Sequence, residues 1–179
     1  MHRMFVALRP PIDIRRRLID LMGGISAARW QDDDQLHITL RYIGEVDGRV
    51  AEDVASALAA VRAPPVSVMV EGVGVFADRH RPGGAVWAGI RPLEAITRLH
   101  HKVDHALVRA GLGPERRAYL PHITLARLPR TAAPPNGFLA TQAGLVTDSF
   151  VIDHMLLFES HLSAAGATYD AVARYPLTA

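Results

Sequence analysis

Cysteine is absent from the 179-residue chain. That excludes disulfides and thiolate metal sites, and it fits a reducing compartment. Lysine is almost absent too: of the 20 basic residues only Lys102 is not arginine. Long apolar runs are missing. Met4–Leu8 is a short one that Pro10-Pro11 stops, and nothing approaches the roughly 20 residues a membrane span needs. The expectation is a soluble, cytoplasmic protein with no export signal and no membrane partner. No low-complexity tail and no linker long enough to part independent domains is present, so residues 1–179 read as one domain, built of two half-sized lobes.

Charge of either sign is scarce in net terms, at +2, although the calculated pI is 9.4. So small an excess excludes a non-specific duplex binder that neutralises many phosphates. The arginine bias reflects either a GC-rich genome or a use for planar guanidinium groups against one or a few phosphates.

What the chain does have is one tetrapeptide twice, His37-Ile38-Thr39-Leu40 and His122-Ile123-Thr124-Leu125, separated by nearly half its length. Each copy lies in a short apolar run that reads as a strand, Leu36–Ile43 and Tyr119–Leu128. Side chains alternate along a strand, so His37 and Thr39 share one face while Ile38 and Leu40 enter a core. The second copy repeats this pattern. Two imidazoles across a cleft are the minimum apparatus for general acid and general base work near neutral pH. Hydroxyls beside them can donate to charge growing on phosphoryl oxygens. Nothing in that chemistry requires a metal or a cofactor.

Around the two motifs the pattern predicts a strand at Arg3–Leu8, a helix from Pro10-Pro11 to Leu21 or Met22, and helices near Arg49–Val61 and Leu93–Ala110. Further strands are expected at Val66–Val75, Ala85–Ile90, Phe150–Phe158 and Thr168–Tyr175. Arg79–Gly84 and Pro129–Gly137 read as loops. Strands and helices mix without strict alternation, which points to an α+β fold with largely antiparallel pairing.

With both motifs placed, the sequence resembles the two-histidine phosphoesterase superfamily, and within it the RNA 2′,3′-cyclic phosphodiesterases historically called 2′-5′ RNA ligases. The resemblance runs through Arg3–Leu8, Leu36–Glu45, Gly72–Phe76, Val86–Gly89, Pro121–Arg127, Leu157–Ser160 and Tyr169–Leu177. It implies two pseudo-symmetric lobes, with antiparallel sheets lining a central cleft and helices outside. It implies His37 as proton donor, His122 as proton acceptor, Thr39 and Thr124 as phosphate-binding residues, and Arg127 as a substrate contact. The implied reaction is hydrolysis of an RNA terminal 2′,3′-cyclic phosphate to a 2′-phosphate. A monomer with no obligate protein partner is expected. The alternatives are 2′-5′ ligation, a small cyclic phosphate as substrate, or a non-catalytic RNA-end binder.

Strand parity complicates one of these roles. Counting by twos puts Arg127 on the Ile123 face and Arg41 on the His37 face, so Arg41 is the rival phosphate ligand unless a bulge intervenes. Phe76 is either a nucleobase platform or a core residue, and Trp87 reads as core. His100, His101 and His105 read as a solvated face of the third helix, with His101 and His105 at a spacing that could hold a metal. His80, between Arg79 and Arg81, reads as an exposed turn or a basic cleft rim. Arg15-Arg16-Arg17 read as the outer face of the first helix.

Overall fold

The computed structural model describes residues 1–77, 83–164 and 166–178. Most of the expected loop at Arg79–Gly84, His80 included, lies outside the described residues. The chain runs β1 (His2–Leu8), α1 (Ile12–Asp20), β2 (Arg29–Trp30), a 3-10 turn (Asp33–Gln35), β3 (Ile38–Val46), α2 (Gly48–Ala59), β4 (Val66–Ala77) and β5 (Gly84–Arg91). It continues with α3 (Leu93–Arg109), β6 (His122–Leu128), α4 (Asn136–Thr141), β7 (Phe150–Ile152), β8 (His154–Ser163) and β9 (Gly166–Pro176).

The fold is α+β, as expected. Its strands pair antiparallel in the order β7-β4-β5-β6-β3-β1-β8-β9, with β2 added to β6. Four strands thus lie on either side of a seam between β6 and β3. That seam is a single residue pair, Ile38 opposite Ile123, and each isoleucine directly follows one of the two histidines. A local two-fold through this pair relates the lobes: β3 to β6, β1 to β5, β8 to β4.

Helical periodicity accounts for the outer layer. Ile14 and Leu18 of α1, Val54 and Leu58 of α2, and Ile96, Leu99, Val103 and Leu107 of α3 bury into one core with Leu8, Ile38, Leu40, Ile123 and Leu125. Asp47 caps α2 by accepting from the Val50 backbone N–H. The other face of the sheet carries a smaller cluster of Phe5, Ala7, Leu156 and Phe158. Among the described residues no helix is long and apolar enough to cross a membrane.

Three local expectations need correction. The strand expected at Phe150–Phe158 is two strands: β7 pairs with β4 in one lobe, and β8 pairs with β1 in the other. Asp153 alone separates them, a single polar step too short to interrupt the apolar pattern on either side. The loop expected over Pro129–Gly137 runs into α4, where Phe138 packs against Trp30. The two-residue β2 and the 3-10 turn are too short to leave a periodic signal.

Bulges matter more than any of these. On β3, Ala7 pairs with Thr39 and Val6 with Arg41, leaving Leu40 as an extra residue. On β6, Trp87 pairs with Thr124 and Val86 with Ala126, leaving Leu125 as an extra residue. Both insertions fall immediately after the His-x-Thr triplet. Each inverts the facing of every residue that follows until the next irregularity.

Candidate active site

Continuing the seam register by one residue each way sets His37 opposite Thr124 and Thr39 opposite His122. Cross-strand neighbours in such a pair approach to about 5 Å at Cβ. The four residues singled out by the sequence therefore form one quadrilateral on the cleft face. Both imidazoles are held alike. His37 Nδ1 lies 2.7 Å from the Gln35 carbonyl and His122 Nδ1 lies 2.7 Å from the Leu120 carbonyl. A carbonyl can only accept, so each Nδ1 carries the proton and each Nε2 is the reactive nitrogen. Among the described residues neither threonine hydroxyl has a hydrogen-bond partner, which leaves both available to a ligand.

Electrostatics separate the two histidines. Burial pushes the His37 imidazole down to about 4, and the Arg127 and His122 charges push the same way against its bond to the Gln35 carbonyl. His122 is lowered too, by burial and then by Arg127, against the Leu120 carbonyl. An empty cleft therefore holds two neutral imidazoles at neutral pH. An anionic phosphate beside them acts in the opposite direction, favouring the imidazolium.

Each histidine sits against two aromatic rings on strands related by the local two-fold. His37 has Phe5 of β1 at 4.9 Å and Phe158 of β8 at 6.3 Å between ring centroids. His122 has Trp87 of β5 at 6.3 Å and Phe76 of β4 at 4.9 Å. Trp87 was expected in the core. It is instead half-buried on the cleft face, its ring lying so close over Gly74 that a Cβ there would sit 2.2 Å from a ring carbon. Phe76 is no core residue either: it is 39% exposed. It lines a cavity of about 480 Å³ with Thr39, Tyr42, Tyr119 and His122, a volume suited to a small organic ligand. Tyr169 of β9, which the sequence did not single out, meets the His37 ring edge-on at 5.4 Å.

The bulges set the facing of the two arginines. Beyond Leu125, Ala126 faces the core with Val86 while Arg127 returns to the Thr124 face, near enough to both histidines to lower them. Beyond Leu40 the same inversion sends Arg41 to the helix side. The parity that put Arg41 beside His37 is therefore wrong. Its guanidinium reaches Asp104 of α3 at 2.7 Å and the carbonyls of Tyr42 and Gly113. Arg41 and Asp104 side chains are 10% and 13% exposed; this pair ties β3 to α3, and Arg41 lines the cavity beside Phe76 with its charge already matched.

A bulge also orphans backbone carbonyls, and side chains satisfy them here. His100 Nδ1 donates to the Leu40 carbonyl at 2.6 Å, and Tyr119 donates from its hydroxyl to the Thr39 carbonyl at 2.9 Å. The two rings stack in parallel, 4.0 Å apart. His100 is thus buried rather than solvated; its spacing from Ile96 and Val103, four before and three after, carried that signal. His101 and His105 are exposed, as expected. In the other lobe the Leu125 carbonyl is satisfied by the Gln31 backbone N–H at 2.8 Å, just beyond β2. Arg15 also departs from its expected outer face: it holds Asp33 of the 3-10 turn at 2.9 Å and thereby anchors the segment presenting the Gln35 carbonyl. That guanidinium holds the Asp33 carboxyl below its ordinary range.

Replacing His100 with alanine should leave the Leu40 carbonyl unpaired in the interior and open a cavity against Tyr119. Unfolding in urea should register a loss of roughly 1–3 kcal/mol. A loss below about 0.5 kcal/mol would show that this clamp does not hold the bulge.

Two histidines fixed in the same tautomer across a pseudo-two-fold, each beside a threonine, define the two-histidine phosphoesterase arrangement. The chain belongs to the 2′-5′ RNA ligase superfamily, whose family model matches residues 14–163. An RNA 2′,3′-cyclic phosphodiesterase of Geobacillus stearothermophilus is 27% identical over 160 residues, covering 88% of this chain and 50% of that protein. One of Aeropyrum pernix is 36% identical over 98 residues, covering 54% and 55% respectively. The chain thus spans about half the length of these two curated relatives. The fold matches a crystal structure of Escherichia coli LigT with 3′-AMP at a TM-score of 0.80 and 23% identity, over 99% of both chains.

Proposed function

We propose that this cleft hydrolyses a terminal 2′,3′-cyclic phosphate on RNA to a 2′-phosphate, without a metal ion, through acid–base catalysis by His37 and His122. His122 Nε2 takes a proton from water, whose oxygen attacks phosphorus. The P–O3′ bond breaks as His37 Nε2 delivers a proton to O3′. Thr39, Thr124 and Arg127 hold the phosphoryl oxygens, and Phe76 offers its exposed face to the terminal base. The observation that carries this reading is the matched anchoring of both Nδ1 atoms, which leaves two Nε2 atoms and two unengaged hydroxyls on one cleft face. Pure binding of an RNA end has no use for two proton-transfer groups so arranged.

The test is to incubate the protein with an oligonucleotide ending in a 2′,3′-cyclic phosphate, in EDTA, and to identify the product isomer. A 2′-phosphate is expected at an undiminished rate. Activity that EDTA abolishes and a divalent ion restores would overturn the metal-free mechanism, and a 3′-phosphate product would overturn the assignment of the leaving oxygen. One observation favours exchanging the two roles: burial makes His37 hard to protonate in the empty cleft, which suits a base better than an acid.

A further inference from the structure

The bulge at Leu125 has a second effect beside turning Arg127 into the cleft. Gln31, which satisfies its carbonyl, directly follows β2, and β2 brings Arg29 directly opposite Arg127 as a cross-strand pair. Trp30, the next residue, pairs with Ala126 and packs on Phe138 in the interior. Arg29 therefore shares the cleft face with Arg127. Two guanidiniums set opposite one another repel, and both are exposed. Among the described residues neither has a hydrogen bond or ion pair. The neighbouring carboxylates are engaged elsewhere: Asp33 holds Arg15, and Asp32 accepts from the Gln35 backbone N–H. The pair borders a cavity of about 590 Å³ shared with Gln35 and Tyr169. No described residue lines both this cavity and the one lined by Phe76 and Tyr42.

We infer that Arg29 and Arg127 form a second phosphate site, which takes a phosphoryl group on the 5′ oxygen of the terminal nucleoside. The inference rests on the proposed cyclic phosphodiesterase reading and narrows its substrate to nucleotides that carry such a group. A bound phosphate relieves the repulsion, and the paired guanidiniums provide bidentate donors to it. Arg127 acts on both histidines and so serves the reacting phosphate as well, whereas Arg29 is not among the charges that act on them.

The experiment compares three substrates: a nucleoside 2′,3′-cyclic phosphate without a 5′-phosphate, the same compound with one, and a dinucleotide ending in the cyclic phosphate. The parent should favour the last two in kcat/KM. Arg29→Gln should lower that preference roughly tenfold, the value of one charge-assisted contact, through KM rather than kcat. Arg29→Lys should recover part of it. A gain seen with both phosphorylated substrates identifies any 5′-phosphoryl group as the ligand, and a gain with the dinucleotide alone identifies the internucleotide linkage. Hydrolysis with an unaltered preference in Arg29→Gln overturns this inference only. A parent that hydrolyses none of the three overturns the functional reading, and the second site with it.

Discussion

Alanine at either His37 or His122 is expected to lower kcat by roughly 10²–10⁴-fold, the contribution of one general acid or base. The two substitutions should differ in what they do to the fold. His122 ends on a cleft wall beside the exposed Phe76, so His122→Ala should leave the urea midpoint almost unchanged. His37 is wedged among Phe5, Phe158 and Tyr169, so His37→Ala should cost about 1 kcal/mol in lost packing. A variant that keeps near-parental turnover would remove its histidine from the mechanism. The division of roles is tested with a substrate whose leaving group needs no proton. Such a substrate should rescue His37→Ala far more than His122→Ala. Rescue of His122→Ala instead would establish the exchanged roles that the burial of His37 favours.

The second large effect is on pH dependence. In the free protein both imidazoles are lowered, His37 to about 4. Turnover needs one neutral and one protonated ring, so the bell in kcat/KM, which reports the free enzyme, should peak on the acid side of the ordinary histidine value of about 6.5. The bell in kcat reports the complex, where the bound phosphate favours imidazolium, and it should peak at higher pH. A kcat/KM maximum above pH 7 would contradict the electrostatics of the empty cleft. Folding carries the same signature. Between about pH 6.5 and 4 the unfolded chain binds a proton at residue 37 that the folded protein refuses, so stability falls on acidification through that window. His37→Asn should flatten that fall by an amount on the order of 1–3 kcal/mol. NMR titration of the His37 ring, with and without inorganic phosphate, follows the group directly and should show phosphate raising it.

The quadrilateral of two histidines and two threonines was legible because it depends only on the period of a strand and on four residues written twice. The helices were legible from their apolar stripes. Arg41 and Arg127 were exchanged by parity because a bulge leaves no mark in composition: Leu40 and Leu125 are apolar whether they sit in register or are inserted. β7 and β8 merged because both are apolar and only one polar step separates them. His100 was misread although its helical position marked it as buried, since a histidine suggests solvent by type. Arg29 could not have been found from the sequence. Its place opposite Arg127 comes from a pairing between a two-residue strand and a strand distant in sequence.

The matched bulges also bear on how two equivalent halves come to do unequal work. Position for position, Arg41 of the first half corresponds to Ala126 of the second, and Tyr42 corresponds to Arg127. Both halves reverse facing at the same step, so an arginine one place after the leucine is committed to the helices, and an arginine two places after it is delivered to the cleft face. A single step along the chain thus converts the same side chain from an internal brace into an exposed cation, unpaired among the described residues. Asymmetry in a duplicated protein of this kind needs no new element and no change of topology. It needs only that a charge shift by an odd number of residues, and a leucine that paired in register instead of being inserted would reverse the assignment in that half alone.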